Sequence, residues 1–316
     1  MSWLFPALIA VFGWGVTDLF LKLSSRADDR DSHLKISVWY GAWMLVMIPL
    51  ALPQSETGAG LVRLVADHPF VFGGALFYAL SMLVTNIGLR HLDLSVQSPL
   101  ENASAAVPPV FFLVWYLVTG RAASISEIAS RWDFLGCAVL IAGVVLMAYA
   151  ERRERPAPSS VRPAKRLGAA ALFFPLLLSV GTGVETIICG VALDPTGGRI
   201  GEADLILLNA VAFVLVGGGA WIAIWAKNGR PYNPVARGEW TKCGAGAFEL
   251  FAEIAYVFAL AINPTFVGPA GSGYCVVSLV LSRIFLRERP GVFRYLCLAL
   301  VVSGIAVLAF SEVVKP

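Results

Sequence analysis

The sequence contains few charged residues. Only 14% of its 316 residues are Asp, Glu, Lys or Arg, whereas ordinary soluble domains carry about 25%. By contrast, 58% of the residues are hydrophobic and the mean hydropathy is +0.75. The length alone would allow two soluble domains, but the shortage of charge excludes them and predicts one membrane-embedded body.

Several chemical signatures are also missing. The 5 cysteines are scattered without CxxC spacing, so they predict packing residues, not disulfides or metal ligands. No nucleophile elbow, P-loop, dinucleotide fingerprint or HExxH pattern occurs in the sequence. We therefore expect no enzyme activity, no metal, no cofactor and no nucleic-acid partner. Without an ATP-binding domain, this chain alone cannot drive transport by ATP hydrolysis.

What the sequence does contain is ten long apolar segments. Each approaches the roughly 20 residues that a helix needs to cross hydrocarbon, and none shows the alternation of a membrane barrel. We expect an all-α integral membrane protein with ten transmembrane helices. The predicted segments 1 to 10 are Trp3–Leu21, Ile36–Leu52, Phe70–Leu89, Val96–Val118, Phe134–Ala150, Leu167–Leu193, Leu205–Trp225, Cys243–Ala261, Phe266–Leu286 and Val292–Phe310.

The segments form two blocks of five, joined by the stretch Glu151–Arg166. This stretch holds six Lys or Arg residues, three prolines and no apolar run, so we expect it to lie in water. It separates a first repeat over residues 1–150 from a second over residues 167–316. Three short matches in the same order indicate the duplication: Ala138–Glu151 with Ala299–Glu312, Gly13–Asp18 with Gly181–Thr186, and Ser95–Pro99 with Thr265–Pro269.

Each block has an odd number of segments, so the two repeats must lie inverted in the bilayer. Inverted repeats are typical of transporters. The orientation follows from the basic residues, because 19 of the 24 Lys and Arg lie in the connections after segments 1, 3, 5, 7 and 9. The positive-inside rule places these connections in the cytoplasm and both termini outside the cell (inner, cytoplasmic) membrane.

Several of these features resemble the drug/metabolite transporter superfamily, in its ten-helix EamA-type branch. The resemblance covers almost the whole chain and depends on Trp14-Gly15 with Lys22, on FLRERP at Phe285–Pro290, and on the two five-helix units. It also includes Gly143-Val144 and Gly304-Ile305 in segments 5 and 10. The resemblance implies that Tyr78, Asn86 and Tyr274 line a central cavity.

Ionisable residues at membrane depth are costly, so each one marks a candidate site. Trp14 and Asp18 share one face of segment 1, where an aromatic ring beside a carboxylate suits an organic cation. The alternative is a local ion pair between Asp18 and Lys22. Glu101 and Asn102 open segment 4, and the alternative for Glu101 is a pair with Arg90.

Segment 8 carries Glu249 and Glu253 one turn apart, with Tyr256 continuing their face. Two like charges this close repel, so we expect one to stay protonated or both to share a cation. The alternative is neutralisation by Lys or Arg from another helix. Glu185 aligns with Thr17 of the first repeat, the residue beside Asp18, and this position would lie near the pseudo-twofold axis. It could instead lie closer to the aqueous mouth.

These residues predict a secondary transporter with alternating access, moving a small cationic or zwitterionic metabolite such as a quaternary amine or amino acid. Glu253, Glu249 and Glu185 are the candidates for proton coupling. One alternative is transport of a neutral sugar or nucleoside, with the acids structural; another is a polytopic membrane enzyme. The expected partners are a small-molecule substrate and the lipid bilayer. The chain is expected to be a monomer or a homodimer. The small-residue faces of segments 5 and 10 could form the homodimer contact, or they could equally pack within one chain.

Overall fold

The computed structural model of the chain describes residues 2–24, 29–55, 60–88, 101–153, 173–194, 200–236, 238–285 and 291–314. All the regular structure in these ranges is helical. Two short 3₁₀ turns cover Leu52–Gln54 and Asn102–Ala106. The α-helices are α1 (Leu4–Ser24), α2 (Ser32–Ala51), α3 (Leu61–Asp67), α4 (Pro69–Gly88), α5 (Val107–Val118), α6 (Ile125–Ile128), α7 (Arg131–Arg153), α8 (Phe173–Ala192), α9 (Glu202–Asn228), α10 (Trp240–Ile262), α11 (Val267–Gly271), α12 (Tyr274–Phe285) and α13 (Val292–Val314).

Eight helical stretches in the described part are long and apolar enough to cross a membrane. Their outer faces carry large apolar side chains, including Phe5, Phe70 and Leu296, each more than half exposed. Such a surface is unfavourable in water and is expected where lipid surrounds the protein. These features fit a multi-pass membrane protein. The stretches are Leu4–Ser24, Ser32–Gln54, Pro69–Gly88, Phe173–Ala192, Glu202–Asn228, Trp240–Ile262, Val267–Phe285 and Val292–Ser311.

Predicted segments 4 and 5 are helical but are not among these eight. Within the described part of segment 4, the apolar helical stretch covers Ser104–Val118. This stretch is shorter than the roughly 20 residues needed to cross hydrocarbon. The predicted start of this segment falls in residues 89–100, which lie outside the described residues. Segment 5 corresponds to α7, which continues through Arg153 and so extends past the predicted boundary at residue 150.

Other sequence features also lie outside the described residues. These are residues 154–166 of the predicted central connection, together with Arg90, Ser95–Pro99 and residues 286–290 of the FLRERP motif.

Segments 4 and 9 are both interrupted near prolines, Pro108 in segment 4 and Pro269 in segment 9. Segment 9 breaks between α11 and α12, where the Ser272 hydroxyl donates a hydrogen bond of 2.6 Å to the Pro269 carbonyl oxygen. In segment 4, the Ser104 hydroxyl donates to the Glu101 carbonyl oxygen at 3.2 Å. A serine side chain therefore satisfies a main-chain carbonyl beside each interruption, as buried backbone requires.

Glycines allow four pairs of helices to approach closely. In the pair α2–α9, a Cβ on Gly41 would lie 2.8 Å from the Phe213 carbonyl oxygen. A Cβ on Gly217 would lie 2.7 Å from the Ser37 carbonyl oxygen. Both distances are shorter than real Cβ contacts, so only glycine fits there without a shift. Small residues at helix contacts let backbones meet in this way.

The same kind of contact joins α7 to α13. A Cβ on Gly143 would lie 2.8 Å from the backbone nitrogen of Val301, and one on Gly304 would lie 2.6 Å from that of Leu140. The small-residue faces of segments 5 and 10 therefore pack against each other within one chain. This contact agrees with packing within one chain, which is one of the two roles that the sequence left open for these faces.

The remaining two pairs are α1–α10 and α4–α8. In the first pair, a Cβ on Gly13 would lie 2.8 Å from the Cβ of Ala252. In the second, a Cβ on Gly181 would lie 2.6 Å from the Ser81 hydroxyl oxygen. Each pair joins one helix from the first half of the chain to one from the second. These two pairs form the walls of the cavity described below.

Ion pairs join the connection before α2 to the start of α10 and to the end of α9. Asp29 accepts from Lys35 at 3.0 Å and from Lys242 at 3.1 Å, and Lys242 also pairs with Glu239 at 2.9 Å. Lys227 pairs with Asp31. Burial alone would raise the pKa of Asp29, but hydrogen bonds and positive charge from the two lysines hold it below the ordinary value of 3.8.

Candidate functional site

A cavity of about 150 Å³ lies between the α1–α10 and α4–α8 pairs, closed further by the interrupted segments 4 and 9. Nine of the ten residues predicted to bind substrate line it, although their role in binding stays a prediction. The tenth, Asn102, lies in the 3₁₀ turn of segment 4, and its side chain is outside the described part. The nine are Trp14, Asp18, Tyr78, Asn86, Glu185, Glu249, Glu253, Tyr256 and Tyr274.

Trp14 lies at the aromatic end of this cavity. Its ring centroid is 5.0 Å from that of Tyr256 and 6.5 Å from that of Tyr274, both in tilted or edge arrangements. Its indole nitrogen donates a hydrogen bond of 3.3 Å to Glu249 Oε1. Three aromatic rings and one carboxyl group therefore surround the same point, although they come from α1, α10 and α12.

Asp18 and Lys22 do not form the local ion pair that the sequence left open. Asp18 accepts a hydrogen bond from the Ser278 hydroxyl, and Lys22 donates to the Ser282 hydroxyl oxygen at 2.8 Å. The two serines lie one turn apart on α12, so they match the one-turn spacing of the acid and the base on α1. Asp18 therefore faces the cavity without a lysine bound to it.

Glu253 and Glu185 share one partner, the side chain of Asn209 on α9. The amide nitrogen of Asn209 lies 2.9 Å from Glu253 Oε1 and 3.4 Å from Glu185 Oε1. The Cys189 thiol also donates to Glu185 Oε1 at 3.1 Å. Both carboxyl groups are buried. The structure thus couples Glu253 across helices to Glu185, while the adjacent Glu249 bonds to Trp14.

Asn209 is the residue that sequence reasoning missed. It is 1% exposed and lies in the apolar run of segment 7. The rule that a polar group at membrane depth marks a site would have selected it. A single uncharged amide changes neither the hydrophobic length nor the charge pattern of segment 7, so it gives only a weak signal in the sequence.

The charges around the cavity are all of one sign. Among the described residues that line it, the ionisable acids are Asp18, Glu101, Glu185, Glu249 and Glu253, and none is Lys, Arg or His. The described lining residues therefore include no base from another helix that could neutralise Glu249 and Glu253. Arg90, the expected partner of Glu101, lies outside them. No group of three or more His, Cys, Asp or Glu in the described part could hold a metal ion.

Two lining residues offer unused hydrogen-bonding groups. The amide nitrogen of Asn86 on α4 and the hydroxyl of Thr17 on α1 are buried and have no hydrogen-bond partner. Buried polar groups are nearly always paired. Groups of this kind at a cavity wall are suited to a polar ligand. Tyr78 lies about two turns before Asn86 on α4. Its ring packs edge-on against that of Phe213, with the two ring centroids 5.8 Å apart.

No family model and no curated protein matches this chain. Among solved structures, 22 chains match. One of them, described only as the crystal structure of a protein, aligns with a TM-score of 0.66 and 13% sequence identity, over 99% of each chain. The TM-score shows a shared fold over the whole length, and an identity this low carries no information about activity.

Proposed function

We propose that this protein is a secondary transporter that moves a small cationic or zwitterionic metabolite across the cell membrane by alternating access. The observation that carries the proposal is the cavity itself, which combines aromatic rings with acids and, among its described lining residues, no base. The drug/metabolite transporter superfamily, EamA-type branch, is the family we propose for it. No catalytic constellation competes with this reading among the motifs of the sequence.

The Trp14 corner is the proposed site for an ammonium group. A cation within about 6 Å of an aromatic ring face is attracted by the ring quadrupole, most strongly by Trp and when water is excluded. Tyr256 and Tyr274 lie within 6.5 Å of the Trp14 ring, and Glu249 supplies the counter-charge at its indole nitrogen. A zwitterion would add a polar or anionic end, for which the Asn86 amide and Thr17 hydroxyl are unused donors.

The architecture we propose is ten transmembrane helices in two inverted repeats. The α7–α13 contact supports it, because the gap-free alignment of Ala138–Glu151 with Ala299–Glu312 pairs Gly143 with Gly304 and Leu140 with Val301. Gly143 packs on Val301 and Gly304 packs on Leu140. Exchanging the two halves therefore reproduces the same contact, as a twofold axis requires.

Other contacts support the same symmetry. Gly13 and Gly181, aligned in the sequence, lie in the pairs α1–α10 and α4–α8, which exchange when the halves are exchanged. Segments 4 and 9, which also correspond, are both interrupted beside the cavity. Paired interrupted helices at the interface between repeats are typical of transporter binding sites.

The proposed orientation places the cavity nearer the cytoplasm. Its lining includes Asp18 and Leu21 on α1, and Thr85 and Asn86 on α4, which lie towards the C-terminal ends of their helices. These ends lead into the connections after segments 1 and 3, on the side that carries most of the basic residues. At the opposite end, Arg121 pairs with Asp194 across the two halves.

A thermal-shift experiment tests the substrate class. Purified protein is heated with choline, alanine, glucose or citrate at two pH values, because a ligand that binds only the folded state raises the melting temperature. We expect choline or alanine to raise it, and Glu249→Gln to remove the effect. Asp67→Asn is the control, since this side chain is 48% exposed and outside the cavity lining. Stabilisation by glucose alone, unchanged in Glu249→Gln, would contradict the proposal and favour a neutral substrate.

A further inference from the structure

The side chain of Asn209 brings two buried carboxyl groups together at one atom. Its amide nitrogen lies within hydrogen-bond distance of Glu253 and Glu185, but its buried Oδ1 has no partner. A carboxylate can only accept hydrogen bonds, whereas a protonated carboxyl group also donates one. A proton on one of the two carboxyl groups therefore provides a donor where two carboxylates would provide none.

The two carboxyl groups converge on the same atom. Glu253 Oε1 and Glu185 Oε1 lie 2.9 Å and 3.4 Å from one amide nitrogen, so the carboxyl groups are neighbours at a side chain that is 1% exposed. Two negative charges this close and this far from water repel each other, and one proton on the pair removes that repulsion.

The groups that face this pair reinforce the need for a proton. Glu249 lies one turn before Glu253 on α10, Cys189 donates to Glu185, and the hydroxyls of Thr186 and Tyr256 bond to each other at 3.1 Å. No Lys, Arg or His in the described part forms an ion pair with either glutamate. Two buried carboxylates with neutral partners repel each other strongly, so the doubly ionised state is the least favourable one.

We propose that Glu185, Asn209 and Glu253 form a proton-binding site that holds one proton between the two carboxyl groups. Glu249 belongs to the amine site at Trp14 and is not part of it. Asn209 is a positioning residue whose amide nitrogen donates to both carboxyl groups. When the site empties, one carboxyl O–H bond breaks and the proton passes to water in the cavity.

The use of this site in transport rests on the proposed function. A cation bound beside Glu249 places positive charge near the pair and stabilises its doubly ionised state. Substrate binding and proton binding then oppose each other, and by linkage each weakens the other to the same extent. The protein would exchange a cationic substrate for a proton.

Infrared difference spectroscopy tests the proton site without any substrate. The C=O stretch of a protonated carboxyl group is followed while the pH of the purified protein is raised. In Glu185→Gln and Glu253→Gln, the remaining carboxyl group loses its like-charged neighbour. We expect the midpoint to fall by about 1 pH unit or more, as for coupled groups. Glu249→Gln should shift it less, and Asp67→Asn should not shift it.

Asn209→Leu separates positioning from mere packing. Loss of the donor destabilises the ionised form of both glutamates, so the midpoint should rise, whereas a packing role alone would lower the melting temperature and leave the midpoint unchanged. The proposal is overturned if neither glutamate variant moves the midpoint, or if Glu249→Gln moves it as far as they do.

Proton release on adding choline tests the coupling separately. In weakly buffered solution we expect about one proton per bound choline in the unmodified protein, and none in Glu253→Gln. Choline binding without proton release would refute the exchange. If choline does not bind, the proposed substrate class fails, while the infrared midpoints still decide whether the proton site exists.

Discussion

Replacing Gly304 by alanine should destabilise the protein, even though alanine is the better helix former. The added Cβ would lie 2.6 Å from the Leu140 backbone nitrogen and 2.7 Å from the Leu140 Cβ. Ordinary contacts at this position begin near 3.4 Å. The nearest obstacle is backbone, which cannot rotate away, so α7 and α13 must separate.

The expected magnitude follows from that separation. Moving two helices apart by about 1 Å forfeits a quarter to a half of the dispersion energy at each contact along the interface. Overpacking of this kind costs about 1–3 kcal/mol. Alanine returns about 1 kcal/mol of helix propensity. We therefore expect a net loss of up to about 2 kcal/mol for Gly304→Ala.

The matched control is Gly218→Ala in the middle of α9, where an added Cβ meets no atom within 4 Å. This variant keeps only the propensity gain, so it should be neutral or more stable. Unfolding of the detergent-solubilised protein by heat or denaturant compares the two. Gly143→Ala should match Gly304→Ala, and the double variant should cost less than the sum, because one separation relieves both clashes. Equal stability of Gly304→Ala and Gly218→Ala would refute this reasoning.

Three further perturbations test the ion pairs. Lys242→Ala removes a lysine that is 4% exposed, and it should cost about 3–5 kcal/mol by thermal unfolding, against 0–1 for the exposed Arg63→Ala. Because the pKa of Asp29 is lowered on folding, its stabilisation is complete above about pH 4. It is lost as the pH falls further, a loss that Asp29→Asn should abolish in acid unfolding curves. Arg121→Ala and Asp194→Ala should show a coupling of about 0.5–3 kcal/mol in a double-mutant cycle; purely additive effects would mean that the pair contributes nothing.

Much of the candidate site was predictable because helical register is visible in the sequence. Trp14 and Asp18 share a face of one helix by spacing alone, as do Glu249 and Glu253, and all four line the cavity. Register within a helix does not show which helices are neighbours. The bond from Trp14 to Glu249 joins residues 235 apart, and the bonds from Asn209 to the two glutamates depend on three helices meeting. These partners could be found only in three dimensions.

The same limit applies to the fold. Composition and hydrophobic length predicted an all-helical membrane protein, and eight apolar helical stretches in the described part agree with that. Hydrophobic length did not predict the interruptions of segments 4 and 9. The 3₁₀ turn over Asn102–Ala106 is one of them, and this tighter turn depends on how the backbone packs against the facing helices.

The walls of the cavity are not the two halves of the sequence. One wall is α1 with α10 and the other is α4 with α8, so each contains a helix from the first half and a helix from the second. Each half therefore holds the other through both walls, in addition to the contacts of α2 with α9 and of α7 with α13. A chain cut in the central connection would leave two fragments that each lack half of every wall. Neither fragment contains a complete wall, so we expect the cavity to form only when both fragments are present.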